Sequence, residues 1–167
     1  MRLELHVDGP EDGESQSPIP LSAWGPLGRV LEGELASLYP EIVRYGTVEL
    51  SVTLLGLDEM RSVNREYRER DEATDVLSFP LWEADGRFVP DGALTELLPL
   101  GDILICPGEV ARLHEGLPPE DALCLVLAHG FLHLLAWDHD TEERESAMWA
   151  RQDAVKQRLL DVLRGGL

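Results

Sequence analysis

Three of the five histidines in this chain fall within one eleven-residue segment, His129-Gly-Phe-Leu-His-Leu-Leu-Ala-Trp-Asp-His139. On a helix, His129 and His133 are one turn apart and project from the same face. His139 can join them only if the helix ends near Ala136 and the chain folds back. Three imidazoles leave the fourth position of a zinc ion open, as catalytic zinc sites do. The spacing therefore predicts a metal centre for one Zn²⁺ ion, although the imidazole ligands do not exclude nickel, cobalt or copper.

The same spacing matches the zinc-peptidase pattern H-E-x-x-H-x-x-G-x-x-H at its histidines, but not at its general base. Gly130 stands where that pattern places the catalytic glutamate, and this disfavours a peptidase mechanism. A hydrolase that acts on peptides or small molecules stays as the weaker alternative. Ala136 occupies the turn position where glycine is usual, so a left-handed backbone there would carry a strain of about 1 kcal/mol.

Composition favours one compact domain over residues 1–167. The chain has 167 residues, of which 44% are apolar, enough for a sizeable core. Its net charge of −18 argues against nonspecific attraction to nucleic acid or to a membrane surface, but not against a local basic site. The N-terminus lacks the apolar region of a signal peptide, and no apolar run suits a membrane span, so we expect a cytoplasmic protein.

Hydrophobic periodicity predicts the elements that must position the histidines. Val48, Leu50, Val52 and Leu54 alternate as a strand, whereas residues 119–135 are apolar on nearly every face and predict a central, buried helix that carries metal ligands. We expect an α+β fold with a small mixed sheet of about four strands, packed by four to five helices. Residues 81–100 are rich in turn signals and predict a hairpin or an irregular insertion.

A second element offers cations for a phosphate group. Arg61, Arg65 and Arg68 lie at i, i+4 and i+7 of a predicted helix, so they share one face. A guanidinium can grip two phosphate oxygens at once. The alternative is a solvated face whose arginines pair with neighbouring acids, and we favour that alternative for Arg61 and Arg65.

Residues 129–139 resemble the signature H-G-x-L-H-L-x-G-Y-D-H of the YbeY-type endoribonucleases, which are bacterial ribosomal RNA maturation factors. The resemblance runs from about residue 45 to the C-terminus and departs from the signature at Ala136 and Trp137. It implies a zinc-dependent, single-strand-specific endoribonuclease that processes the 3′ end of small-subunit ribosomal RNA and takes part in ribosome quality control. Ribosomal or ribosome-associated proteins are the implied partners. Two further segments agree with the family: residues 64–68 through 74–80, and residues 101–106.

The resemblance also implies residue roles. It makes Arg68 the catalytic phosphate contact and suggests that Thr74 and Ser78 line the cleft. The attacking group would be water activated by the metal or the ribose 2′-hydroxyl. An alternative is a ribosome-assembly factor in which the zinc is mainly structural. Asp138 is a further candidate to orient an imidazole. Three other residues have two interpretations each: Asp102 orients an imidazole or forms a strand-edge turn, Asp140 orients an imidazole or caps the last helix with Glu143, and Trp137 stacks a base or packs on the helix end.

Overall fold

The computed structural model describes residues 1–9, 17–93 and 96–165. Its strands are β1 (Arg2–Asp8), β2 (Thr47–Leu54), β3 (Val76–Pro80), β4 (Glu83–Ala84), β5 (Arg87–Phe88) and β6 (Leu97–Ile105). Its helices are α1 (Trp24–Leu38), α2 (Leu57–Arg68), α3 (Pro107–Leu113), α4 (Pro119–Leu134) and α5 (Glu142–Leu163). These elements confirm the predicted α+β fold.

The main sheet has four strands in the order β1-β2-β6-β3. Strands β1, β2 and β6 run parallel, and β3 pairs antiparallel with β6, so the sheet is mixed. Strand β3 is consequently an edge strand, and the chain leaves it directly into the β4–β5 hairpin. That hairpin confirms the prediction for the start of the 81–100 segment, whereas β6 begins at Leu97, four residues before the predicted strand.

One face of the sheet carries most of the core. Helix α1 packs on β1, helix α4 packs on β3 and β6, and α5 packs against both helices. Ten of the sixteen residues of α4 are buried, as expected for a helix that is apolar on nearly every side. The opposite face is covered near β3 by α2, through a smaller cluster of Leu55, Met60, Leu77 and Cys106. Helix α4 is therefore held between the sheet and α5.

The start of α5 corrects one prediction. Asp140 does not cap this helix; Thr141 is the N-cap residue, and its side-chain oxygen accepts a hydrogen bond from the backbone N–H of Arg144 at 3.2 Å. Asp140 instead pairs with the Arg144 guanidinium, one helical turn further on. No helix in the described part of the chain is both long and apolar enough to cross a membrane.

Candidate metal centre

A cleft of about 970 Å³ opens where the end of α4 meets the edge of the sheet. The C-terminus of α2, strand β3, the β4–β5 hairpin and the connection from α4 to α5 form its walls. The lining residues include all three histidines of the signature, His129, His133 and His139. Six charged side chains also line it: Arg68, Glu83, Asp85, Asp138, Asp140 and Arg144.

The three histidines converge in this cleft. One ring nitrogen from each of His129, His133 and His139 lies within 4.8 Å of the other two. His129 and His133 come from the last turns of α4, and their Nε2 atoms are 3.0 Å apart. His139 arrives from the connection to α5, where the chain has reversed. The predicted ligand set is thus brought together by one helix end and the turn that follows it.

The turn itself depends on Ala136. Its φ of +67° is left-handed, as the glycine position of the signature suggested. The backbone N–H groups of Ala136 and Trp137 donate back to the carbonyls of His133 and Leu132, both at 3.0 Å, and these bonds close the helix. An alanine in this conformation costs about 1 kcal/mol relative to glycine. The fold thus holds a strained residue between the second and third histidines.

Burial keeps the two helical imidazoles neutral. Desolvation lowers the pKa of His129, although its hydrogen bond with Gln152 acts in the other direction. Desolvation, together with the electrostatic effect of the neighbouring His129 imidazole, lowers the pKa of His133 to about 4. A neutral imidazole has a free lone pair, which a metal ligand requires. The donor set therefore suits a borderline-soft divalent ion such as Zn²⁺.

Gln152 on α5 fixes which nitrogen of His129 carries that lone pair. The Nδ1–H of His129 donates to Gln152 Oε1 at 2.7 Å. Because an amide oxygen only accepts, Nδ1 must be protonated, and the free lone pair is on Nε2, which faces His133. Sequence reasoning missed this residue. The available signal was a polar side chain in the buried stripe that Met148, Val155 and Leu159 form along α5.

The absence of a glutamate at position 130 has a structural reason. A Cβ atom on residue 130 would lie 2.9 Å from Ile103 Cγ2 and 3.2 Å from Ser78 Oγ. The hydroxyl of Ser78 also donates to the Gly130 carbonyl at 3.2 Å. Helix α4 therefore approaches β3 and β6 so closely that glycine alone fits without displacement. This chain has no room for a general-base glutamate at position 130.

The three arginines of α2 have different surroundings. Arg61 forms two hydrogen bonds with the carboxylate of Asp71, at 2.9 and 3.0 Å, and Arg65 lies 3.9 Å from the same carboxylate. Neither lines the cleft. Arg68 does line it and, among the described residues, forms no ion pair. The favoured interpretation of a paired, solvated face describes Arg61 and Arg65, while Arg68 keeps its guanidinium available.

The remaining candidates divide between the cleft and its surroundings. Ser78 and Asp138 line the cleft, but the Asp138 carboxylate accepts from the His139 backbone N–H at 2.8 Å and contacts no imidazole by hydrogen bond. Thr74 lies outside the cleft lining, and its hydroxyl donates to Asp75 at 3.3 Å.

Asp102 is exposed on the face of β6 that is turned away from α4. Its neighbours Gly101 and Ile103 are the residues that contact α4 and the core. Asp102 forms no hydrogen bond with any of the three histidines, so the structure gives no support to its orienting an imidazole.

Two indole rings also border the histidines. Trp149, on the first turns of α5, lies with its ring centroid 5.4 Å from that of His139 and 5.9 Å from that of His129. It is 41% exposed. Trp137 lines the cleft and is packed in part against the main core, which agrees with packing on the helix end, whereas stacking on a base stays a prediction. Sequence reasoning missed Trp149, because its position depends on how α5 crosses the end of α4.

Comparison with known proteins gives agreement in sequence and in fold. Residues 29–160 match the family model described as Endoribonuclease YbeY. Endoribonuclease YbeY of Staphylococcus aureus strain JH9 is 43% identical over 110 residues, which are 64% of this chain and 70% of that protein, and the strain Newman protein gives the same values. A Thermotoga maritima protein whose structure was determined in solution is similar in fold, with a TM-score of 0.55 and 25% identity over 97% of this chain and 93% of that one.

Proposed function

Because the chain belongs to the endoribonuclease YbeY family, we propose that it is a zinc-dependent endoribonuclease that cleaves single-stranded RNA. We place its action in the maturation of the 3′ end of small-subunit ribosomal RNA and in ribosome quality control. The observation that carries the proposal is one cleft in which three histidine nitrogens converge beside an arginine with no ion pair among the described residues.

The metal-binding part of the proposal rests on His129, His133 and His139. Their ring nitrogens converge, burial lowers the pKa values of the first two, and Gln152 orients the first. When bound, zinc supplies Lewis-acid activation of water and of a phosphoryl oxygen. The neutral imidazoles leave the full positive charge of the ion in place, and the fold holds them in position before substrate arrives.

The proposed role of Arg68 is to bind the phosphate that is cleaved. Its planar guanidinium can donate to two phosphoryl oxygens, and negative charge on those oxygens grows during phosphodiester cleavage. Arg68 is at the C-terminal end of α2, and Tyr67 beside it packs edge-to-face on Phe79 of β3 with 5.3 Å between ring centroids. That contact anchors the end of α2 against the strand that borders the cleft.

The preference for a single strand is carried over from the family resemblance. His129, His133, His139 and Arg68 line one cleft, so one unpaired strand could contact all of them. Four acids also line the cleft, so local cations rather than the overall charge of −18 must attract the RNA. We propose that the whole chain acts as one cytoplasmic domain and that ribosomal or ribosome-associated proteins help to deliver the RNA.

One cleavage experiment tests the enzymatic proposal. Zinc-loaded protein, free of partners, is incubated with a labelled single-stranded RNA and with the same sequence as a duplex. We expect cleavage of the single strand only, abolished by His133→Ala and retained by His6→Ala, which removes an exposed histidine outside the cleft. Absence of cleavage by the zinc-loaded wild-type protein would contradict the proposal. Cleavage that persists in His133→Ala would show that the activity does not come from this site.

A second candidate function is a ribosome-assembly factor in which zinc is mainly structural. The strongly negative net charge favours it, since a partner protein could then provide the RNA contact. The same experiment separates the two proposals, because an assembly factor keeps its zinc but does not cleave RNA alone. A peptide hydrolase is a weaker candidate still, because residue 130 has no room for the glutamate that such a mechanism uses.

A further inference from the structure

A second cavity, of about 430 Å³, lies next to the cleft. It is open to solvent and is bordered by the β4–β5 hairpin on one side and by the connection from α4 to α5 on the other. Half of its ten lining residues also line the cleft: Gly86, Ala136, Trp137, Asp138 and Arg144. The two spaces therefore adjoin across the turn that leads to His139, and a flexible chain bound in one can extend a group into the other.

Three aromatic rings surround this cavity. They belong to Tyr39, Phe88 and Trp137, each of which is half-buried and keeps part of its surface accessible. The Tyr39 and Phe88 rings meet edge-to-face, with 4.9 Å between centroids. The Tyr39 hydroxyl donates to the Leu135 carbonyl at 3.0 Å, and this bond holds the ring against the end of α4. The result is an apolar space with fixed aromatic walls.

Two arginines and Asp138 line the rim. The Arg144 guanidinium is paired with Asp140, which accepts at 2.9 and 3.0 Å, and it lies so close to the hairpin that a Cβ on Gly86 would be 3.2 Å from its Nη2. Arg87 is exposed and forms no ion pair in the part of the chain that the structure describes. An aromatic space with a cation beside it is complementary to a nucleotide, whose base stacks on rings while its phosphate attracts the guanidinium.

We propose that this cavity is a nucleobase pocket. It takes the base of a nucleotide close to the cleaved bond, and Arg87 contacts a phosphate of the same strand. The inference rests on the proposed function, because the RNA strand must already occupy the adjoining cleft. A pocket for one base also requires that base to be unstacked, which a single strand permits and a duplex resists. The hairpin, rather than the metal centre, then selects the position of the strand.

The test is a double-mutant cycle between the protein and the RNA. A fluorescent single-stranded hexamer is titrated with metal-free full-length protein, so that no cleavage occurs, and binding is followed by anisotropy. The hexamer is used intact and in six versions with one abasic position each. The protein is wild type, Phe88→Ala, or the control Val89→Ala, which changes an exposed neighbour on the hairpin that lines neither cavity.

We expect Phe88→Ala to weaken binding of intact RNA about tenfold, the size of a lost base–aromatic stack. One abasic position should weaken binding to the wild type by a similar factor and cause no further loss with Phe88→Ala. Val89→Ala should bind like the wild type. A variant whose hairpin is simply misfolded would instead lose affinity equally for intact and abasic RNA. Two results would overturn the proposed nucleobase pocket. One is such additive losses of affinity, and the other is that no abasic position weakens binding to the wild type more than binding to Phe88→Ala.

Cleavage by the zinc-loaded protein separates this proposal from the one it rests on. If RNA is cleaved but the losses are additive, the endoribonuclease stands and the pocket falls. If no RNA is cleaved but the loss of affinity caused by one abasic position disappears with Phe88→Ala, the pocket stands as an RNA-binding site and the enzymatic proposal falls.

Discussion

Two clusters of three potential metal ligands occur among the described residues. Their ligand atoms are similarly spaced, but the clusters differ in burial and in the groups that surround them. His129, His133 and His139 lie in the cleft, whereas Glu4, His6 and Glu49 lie on the outer face of β1 and β2. In each cluster, the ligand atoms are within 4.8 Å of one another. Proximity alone would therefore rank the two equally.

The strand cluster is an exposed charged surface. The His6 side chain is 52% exposed, and its Nε2 is 4.0 Å from Glu4 and 3.8 Å from Glu49. The two glutamates are register partners on neighbouring strands, and Arg2 already pairs with Glu4. These groups are in water, where such pairs contribute little.

The histidine cluster differs in the surroundings that keep its imidazoles neutral, oriented and accessible. Burial lowers the pKa values of His129 and His133, Gln152 selects the tautomer of His129, and a cleft gives access to a ligand. Arg68 beside it is unpaired among the described residues, in contrast to Arg2. A candidate metal centre is thus distinguished less by how close its ligands are than by what keeps them neutral and oriented.

The largest predicted difference between the clusters is in zinc binding. His133→Ala should weaken zinc binding by more than about 100-fold, because it removes one of three ligands. His6→Ala should leave the affinity unchanged, since the strand cluster is not expected to hold the ion. Calorimetric titration of metal-free protein measures both. Loss of a bound zinc equivalent in His6→Ala would contradict the comparison and make the strand cluster a second site.

The next largest predicted effect is on RNA cleavage, and it concerns Arg68 beside the histidine cluster. Arg68→Ala should lower kcat/KM for RNA cleavage by about 100-fold, the usual effect of removing one donor to a charged transition state, with zinc content unchanged. Arg61→Ala is the matched control on the same helix, because Asp71 already occupies its guanidinium. Cleavage at the wild-type rate by Arg68→Ala would contradict the assignment of Arg68 to the phosphate.

Sequence reasoning predicted what is local. The i, i+4 spacing of His129 and His133 and the chain reversal before His139 lie within eleven residues, so helix geometry alone brings them together. The left-handed turn at Ala136 followed from the same segment. The strand over residues 48–54 and the buried helix over 119–135 were clear from periodicity, and the α+β fold followed from them.

What the sequence left out depends on contacts between distant segments. Gln152 reaches His129 because α5 crosses α4, and the hairpin borders the cleft because Gly86 packs beside Arg144. The two interpretations of Asp102 stayed open because the surroundings of a strand residue depend on the register of β6 with its neighbours. Strand order and helix crossing are tertiary properties, and periodicity does not encode them.

A substitution of Gln152 tests whether zinc binding depends on the hydrogen bond that orients His129. Gln152→Leu should weaken zinc binding by about 10- to 100-fold, because the acceptor that orients His129 is lost. Gln152→Glu keeps an acceptor at that position and should restore most of the affinity. Gln157→Leu changes an exposed glutamine of the same helix and should have no effect. Equal zinc affinity in Gln152→Leu and Gln157→Leu, measured by competition with a chelating dye, would mean that the imidazole needs no such partner.

The smallest predicted effect is at Ala136, where the cluster requires a strained backbone. Glycine adopts a φ of +67° without the steric cost of a Cβ, but it also gains freedom in the unfolded chain. The two terms oppose each other, so Ala136→Gly should be neutral or stabilise the fold by up to about 1 kcal/mol, with zinc binding retained. Ala150→Gly, in the exposed interior of α5, has no strain to relieve and should destabilise by about 1 kcal/mol. Chemical denaturation of both variants measures the difference. Destabilisation of Ala136→Gly equal to that of Ala150→Gly, or a marked loss of zinc, would show that the methyl group of Ala136 contributes more by packing than its backbone costs.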